Sequence, residues 1–234
     1  MQLEGLLPDI VTFVFTMNVC GNVGAISKGT EIHAAITRKG LLEGDFSIGC
    51  SLVDMYAKFG WLTIAKQVFD KLPLHNVVSW NSLIMGYAQF GESITALEGF
   101  EQMLKEGVKP DEVTFTSVLS ACNHTGLLSM ALKIFESMTN DYCISPNVTH
   151  YGSIMDLLGR AGDFETIKKV ITGGMSQHAD LTLWLSLLVA CQIHGNLELG
   201  KEIFHHVIGM HPDETPAYIL MSNIYADTGY RKEA

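Results

Sequence analysis

Apolar positions recur along this chain at helical spacing, in short stretches separated by glycine and proline. Trp80, Leu83, Ile84 and Tyr87 follow i, i+3, i+4, i+7, the signature of one apolar helix face. Phe90-Gly91 interrupts the stretch, as a glycine just past a helix end does. A second stretch comes next, with Ile94, Leu97, Phe100, Met103 and Leu104 again at helical spacing. Ser93 is placed to cap it, and Gly107 and Pro110 end it. No alternating run between turn dipeptides reads as a strand. The pattern predicts two antiparallel helices over 77–111.

The same pattern returns along the chain. Met1 to Asp9 (MQLEGLLPD) reappears 102 residues later as Met103 to Asp111 (MLKEGVKPD), and Val11-Thr12-Phe13 as Val113-Thr114-Phe115. At an offset of 31, Ser51-Leu52, Tyr56-Ala57 and Phe59-Gly60 become Ser82-Leu83, Tyr87-Ala88 and Phe90-Gly91. Ala121-Cys122 and Gly126 return 69 residues on as Ala190-Cys191 and Gly195. Self-similarity at these periods implies stacked supersecondary units, because one short hairpin cannot bury its own apolar faces. The expected fold is all-α, a right-handed α-solenoid of stacked helical hairpins. Its units phase as 10–45, 46–76, 77–111, 112–147, 148–180 and 181–214, with 1–9 the tail of a preceding unit and 215–234 an unfinished one. That phasing reads as a piece of a longer protein.

Composition and charge bear on this picture. Apolar residues make up 47% of the 234, enough for a continuous core. No run of about 18 apolar residues occurs, so no membrane span is expected. The N-terminus shows no basic region followed by an apolar one, so no signal peptide is visible. A net charge of −10 opposes nonspecific, phosphate-driven binding to nucleic acid and suits a protein-interaction scaffold.

No catalytic constellation is visible. The five cysteines form no Cys-x-x-Cys pair, and Cys20, Cys122 and Cys191 share a first-helix position, as small packed hydrophobes do. His205, His206 and His211 are close in sequence, but adjacent residues diverge on a helix and Pro212 follows His211. They are not expected to hold a metal. His33, His124, His150 and His194 occupy repeat positions where packing or capping is expected. Gly173-Gly174 lacks the strand-loop-helix context of a phosphate loop. No cofactor is called for.

Unit lengths of 35, 36 and 31, with Val-[Thr/Ser]-[Phe/Trp] starts and Pro-Asp ends, resemble pentatricopeptide repeats, and more narrowly the plant PLS subfamily. Val77 to Ile84 with Gly107 to Asp111 resembles a P-type repeat. Ser51 to Gly60 resembles an S-type repeat, as does 148–180 through Tyr151 to Gly162. Val113 to Cys122 resembles an L-type repeat, and 10–45 falls in the same class. Trp184 to Gly200 looks like a first C-terminal extension motif, and Tyr218 to Ala226 like the start of a second. Tetratricopeptide repeats keep a constant 34-residue period, which this chain does not.

The resemblance implies that each repeat reads one base of single-stranded RNA through its fifth and last residues. Those pairs are Asn81 with Asp111, Thr116 with Asn147, Cys50 with Asn76, Gly152 with Asp180, and Val14 with Asp45. It implies that Val78 and Val113 pack against a base. By the family pairing, Asn with Asp favours uridine and Thr with Asn favours adenine. The other three pairs depart from the usual code. Asp111 and Asn147 also stand where Asp and Asn cap helices, and Val78 and Val113 also suit packing against neighbouring helices.

The family's editing members often end in a deaminase domain with a His-x-Glu and Pro-Cys-x-x-Cys pattern, which this chain lacks; it is read as no enzyme. The resemblance implies a specificity factor for cytidine-to-uridine editing of organellar RNA, in mitochondrion or chloroplast. Its partners would be organellar editing-factor proteins and a deaminase in cis or in trans, with no membrane. The alternatives are a protein-interaction scaffold, and an RNA stabilisation or splicing factor without editing.

Overall fold

The computed structural model describes residues 8–41, 45–175 and 179–229. Most of the 1–9 tail, the last five residues of 215–234, and short stretches of 10–45 and 148–180 lie outside them. The described residues form thirteen α-helices and no strands. They run as α1 (Ile10–Val23), α2 (Ile26–Arg38), α3 (Phe46–Lys58), α4 (Leu62–Phe69), α5 (Val77–Gln89), α6 (Ser93–Lys105) and α7 (Glu112–Thr125). After these come α8 (Leu128–Asn140), α9 (Val148–Ala161), α10 (Phe164–Thr172), α11 (Leu181–His194), α12 (Leu197–Met210) and α13 (Thr215–Asp227). The chain divides into two compact units, one up to His124 and one from Thr125.

Local chemistry sets the helix ends. The side chains of Asp9, Asp45, Asn76, Asn147 and Asp180 each accept a hydrogen bond from a backbone N–H in the first turn of α1, α3, α5, α9 and α11. Each satisfies a donor that the helix itself leaves orphaned. Between α5 and α6 the chain turns at Gly91, whose φ of 82° suits a residue with no Cβ. Ser93 does not cap α6. It is the first residue of that helix, Glu92 takes the cap position without a side-chain bond, and the Ser93 hydroxyl is buried with no partner among the described residues.

In the first unit, α1 packs on α2 and α3, and α5 packs on α3, α4 and α6. In the second, α9 packs on α8, α10 and α11, and α13 packs on α11 and α12. Each unit is thus a row of helical hairpins joined through their first helices, the solenoid arrangement expected. The first helices meet through small residues in a repeated register. A Cβ built on Gly86 of α5 would lie 2.7 Å from the Ala57 Cβ of α3, one on Gly21 would lie 3.3 Å from the Met55 Cα, and one on Gly159 would lie 2.9 Å from the Ala190 Cβ. Phe69, Phe115, Met55, Leu83, Ile84 and Met103 are wholly enclosed. On α6, Leu97, Phe100 and Met103 are buried, whereas Ile94 is exposed.

A polar clasp joins successive hairpins of the first unit. Glu106, just past α6, accepts from the Trp80 indole N–H at 3.2 Å and meets His75 Nδ1 at 3.0 Å, while His75 Nε2 meets the Phe69 carbonyl at 3.1 Å. The His75 ring stacks on Phe69 with centroids 3.9 Å apart. Burial pushes the Glu106 carboxyl up, but bonds from His75, Gln102 and Trp80 outweigh it and hold it below its ordinary 4.5. A carboxyl depressed in the folded state stabilises the fold above its unfolded pKa, and that contribution is lost as pH falls through the folded value. We therefore expect Glu106→Gln to lower the urea midpoint at pH 7 and to match the unchanged chain once pH is well below 4.5. An equal deficit at both pH values would show that the clasp does not depend on the carboxylate.

Cys20, Cys50, Cys122 and Cys191 are buried. Burial pushes the thiols of Cys122 and Cys191 up to about 11 and about 12, so they pack as neutral side chains. His33 meets the Tyr56 hydroxyl at 2.7 Å, and His150 closes a capping box with Asn147. Among the described residues no group of three or more His, Cys, Asp or Glu is arranged to hold a metal ion. No described helix is long and apolar enough to cross a membrane.

Candidate nucleic-acid interface

The starts of α5 and α7 bring Asn81 and Asp111 together. Asn81, in the second turn of α5, is nearly buried at 8% exposure, with its amide against the cap of the next first helix. Its Nδ2–H donates to Asp111 Oδ1 at 2.8 Å, and its Oδ1 accepts from the Thr114 hydroxyl at 2.5 Å. Asp111 Oδ1 also accepts the Thr114 backbone N–H at 3.0 Å, which caps α7. In return the Asp111 N–H donates to Thr114 Oγ1 at 3.1 Å. The fifth residue of one hairpin, its last residue and the third residue of the next thus form one network across 33 positions of sequence. Asp111 both caps and bridges, and no bond to its Oδ2 occurs among the described residues. Val78 of α5 and Val113 of α7, in the first turns of the same helices, are 54% and 42% exposed.

One hairpin earlier the same geometry recurs in weaker form. The Cys50 thiol lies 3.9 Å from Asn76 Oδ1, which also accepts the Ser79 N–H at 2.9 Å. Burial pushes the Cys50 thiol up to about 11, so it keeps its proton and can donate. Among the described residues, two of the other pairs have no side-chain bond to join them. Val14 has no polar atom to offer Asp45, whose carboxyl is held below its ordinary value by the Ser47 hydroxyl and backbone N–H. Gly152 has no side chain to offer Asp180, which caps α11 through the Leu183 N–H at 2.9 Å. Thr116 lies in the first unit and donates to the Glu112 carbonyl at 2.9 Å, while Asn147 lies in the second and caps α9.

Beside the Cys50–Asn76 pair runs a groove of about 340 Å³ built only from first helices. Asn18 and Asn22 of α1, Cys50, Asp54 and Lys58 of α3, and Val78 and Ser82 of α5 line it. The sequence did not single out Asn18, Asn22 or Thr114. For Thr114 a signal was present, since Asp111-x-x-Thr114 repeats the cap spacing of Asn76-x-x-Ser79.

The charge sits elsewhere. Helices α1, α5 and α11 contain no Asp, Glu, Lys or Arg. On α3 the only pair, Asp54 and Lys58, meets at 2.7 Å, and on α9 Asp156 and Arg160 meet at 3.5 Å. Glu112 of α7 and Asp227 of α13 complete the charged residues of the first helices. Most of the acidity therefore belongs to second helices and connections. The first helices themselves carry few charges, and they offer amides, hydroxyls and exposed valines.

Fold and site together define an all-α repeat protein in which two hairpins of the first unit are tied to the next by polar pairs at the starts of their first helices. Three family models match the chain: a PPR repeat family over 75–124, a pentatricopeptide repeat domain over 100–161 and a PPR repeat over 50–77. The chain is a pentatricopeptide repeat protein. It is 42% identical over 226 residues to the pentatricopeptide repeat-containing protein At4g14820 of Arabidopsis thaliana, covering 97% of this chain and 31% of that protein. It is 39% identical over 231 residues to the Arabidopsis thaliana protein At1g08070, chloroplastic, covering 98% of this chain and 31% of the relative. The chain thus spans about a third of the length of these curated relatives.

Among solved structures, maize PPR10 matches with a TM-score of 0.63 at 19% identity, over 98% of this chain and 38% of that one. The PPR domain of Arabidopsis thaliana protein-only RNase P 1, solved with tRNA, matches with a TM-score of 0.65 at 17% identity, over 74% of this chain and 95% of that one.

Proposed function

We propose that this chain binds single-stranded RNA in a sequence-specific manner, its hairpins each addressing one base through the starts of their first helices. The observation that carries the reading is the Asn81–Asp111 bond, which places an amide and a carboxylate side by side between successive hairpins. An amide that donates beside a carboxylate that only accepts can match the edge of a base. The sparse charge of the first helices supports recognition by base edges over attraction to phosphate. The similarity to PPR10, solved with an 18-nt psaJ RNA element at a TM-score of 0.67, is of the same kind.

On this reading Asn81 with Asp111 selects uridine and Thr116 with Asn147 selects adenine. Val78 and Val113 pack against the bases, and the other three pairs contribute weakly. The L, S and P succession, with 181–214 and 215–234 as extension motifs, makes the protein a specificity factor for cytidine-to-uridine editing in mitochondrion or chloroplast. A deaminase in cis or in trans and organellar editing-factor proteins are then its partners.

The test is selection of the full-length protein against a randomised single-stranded RNA pool, followed by sequencing. A fixed-spacing element containing uridine next to adenine is expected. The Asn81→Ala, Asp111→Ala variant should lose the uridine alone while its circular dichroism stays helical. Absence of any enriched element from folded protein would overturn direct readout and leave the protein-interaction scaffold.

A further inference from the structure

We propose that Thr114 is a positioning residue for base choice, fixing the amide of Asn81 in one orientation; this rests on reading Asn81 and Asp111 as a base-contacting pair. A free asparagine amide presents a donor or an acceptor by turning over. Uracil offers N3–H and O4 where cytosine offers N3 and the N4 amino group, so the donor and acceptor places are exchanged. A side chain that can turn over serves both pyrimidines; one that cannot serves one.

The geometry here removes the freedom from both ends. The Asp111 carboxylate has no proton to give, so the group facing it at 2.8 Å is the Asn81 NH₂. Thr114 Oγ1 accepts the Asp111 N–H at 3.1 Å, and its single proton goes to the nearer of two acceptors, Asn81 Oδ1 at 2.5 Å, with Asp111 Oδ1 at 3.0 Å. The Asn81 oxygen is thereby engaged in a fully buried contact, Thr114 being 0% exposed. What the pair keeps for a base is the second N–H of Asn81 and the Oδ2 of Asp111, in a fixed order. Thr114 belongs to the following hairpin, so the base choice of 77–111 is set partly by its neighbour.

The experiment uses the full-length protein and the same randomised RNA pool, scored by the ratio of uridine to cytidine at the nucleotide assigned to 77–111. Thr114→Val keeps the shape and loses the hydroxyl; Thr114→Ser keeps the hydroxyl. Thr166→Val removes the hydroxyl that donates to Asp163 at the start of α10 while keeping the backbone cap bond, away from any reading pair, and serves as the control for loss of a first-turn hydroxyl. We expect Thr114→Val to lower the ratio about fivefold, the worth of one net hydrogen bond, with Thr114→Ser and Thr166→Val unchanged.

If Asn81→Ala loses the uridine preference but Thr114→Val keeps the full ratio, the inference falls and base reading stands. If Asn81→Ala also keeps the ratio, both fall. An equal loss in Thr166→Val, or no rescue by Thr114→Ser, would assign the effect to stability and overturn the proposal. Should Thr114→Val not fold, Thr114→Ala is scored in the same way.

Discussion

Asn81→Thr combined with Asp111→Asn is expected to move the preference of hairpin 77–111 from uridine to adenine without unfolding the chain. The cap explains why the second change is tolerated. Asp111 holds the start of α7 through the Thr114 N–H, and asparagine caps about as well as aspartate. Asp111→Ala, by contrast, should cost about 1 kcal/mol of cap as well as the bond to Asn81. The pairing then becomes that of Thr116 with Asn147. Base selection on the randomised RNA pool, with melting followed on the same samples, reads both parts. A persistent uridine preference would show that Asn81 and Asp111 stitch hairpins together without reading a base.

Gly86→Leu is the change expected to damage the fold most. At this position even a Cβ would meet the Ala57 Cβ at 2.7 Å, Leu62 Cδ2 at 3.2 Å and the Ala57 Cα at 3.4 Å. Two of those atoms are tied to backbone, so α3 and α5 must part. Overpacking of this kind costs about 3 kcal/mol or more, a large fraction of a domain's net stability. Gly99→Ala is the contrast. Its Cβ would meet Ile84 Cγ1 at 3.4 Å, an ordinary contact, and helix propensity favours alanine by up to about 1 kcal/mol. Urea midpoints should move in opposite directions. No fall for Gly86→Leu would mean that α3 and α5 do not meet at this register.

The helices were legible because their causes are local. Trp80, Leu83, Ile84 and Tyr87 announce a face, Asp or Asn announces a start, and Gly91 announces a stop. Where the cause is tertiary the local signal misleads. Ser93 looks like a cap, yet it is the first residue of its helix and is buried. Ile94 falls on the helical period but is exposed, since spacing locates a stripe and says little about where its edge lies. The bond from Trp80 to Glu106 spans 26 positions and that from Thr114 to Asn81 spans 33, far beyond the reach of periodicity. The charge misled for a related reason. A sum over 234 residues hides that α1, α5 and α11 carry none of it.

Asp9, Asp45, Asn76, Asp111, Asn147 and Asp180 all accept a backbone N–H at the start of the helix that each precedes. A residue bound to that duty draws on a short alphabet, and here only two of its letters are used. Whatever vocabulary the hairpins have must then come from the other member of each pair, which ranges over valine, cysteine, asparagine, threonine and glycine. On the proposed reading, one symbol of each pair is constrained by folding and the other carries most of the message.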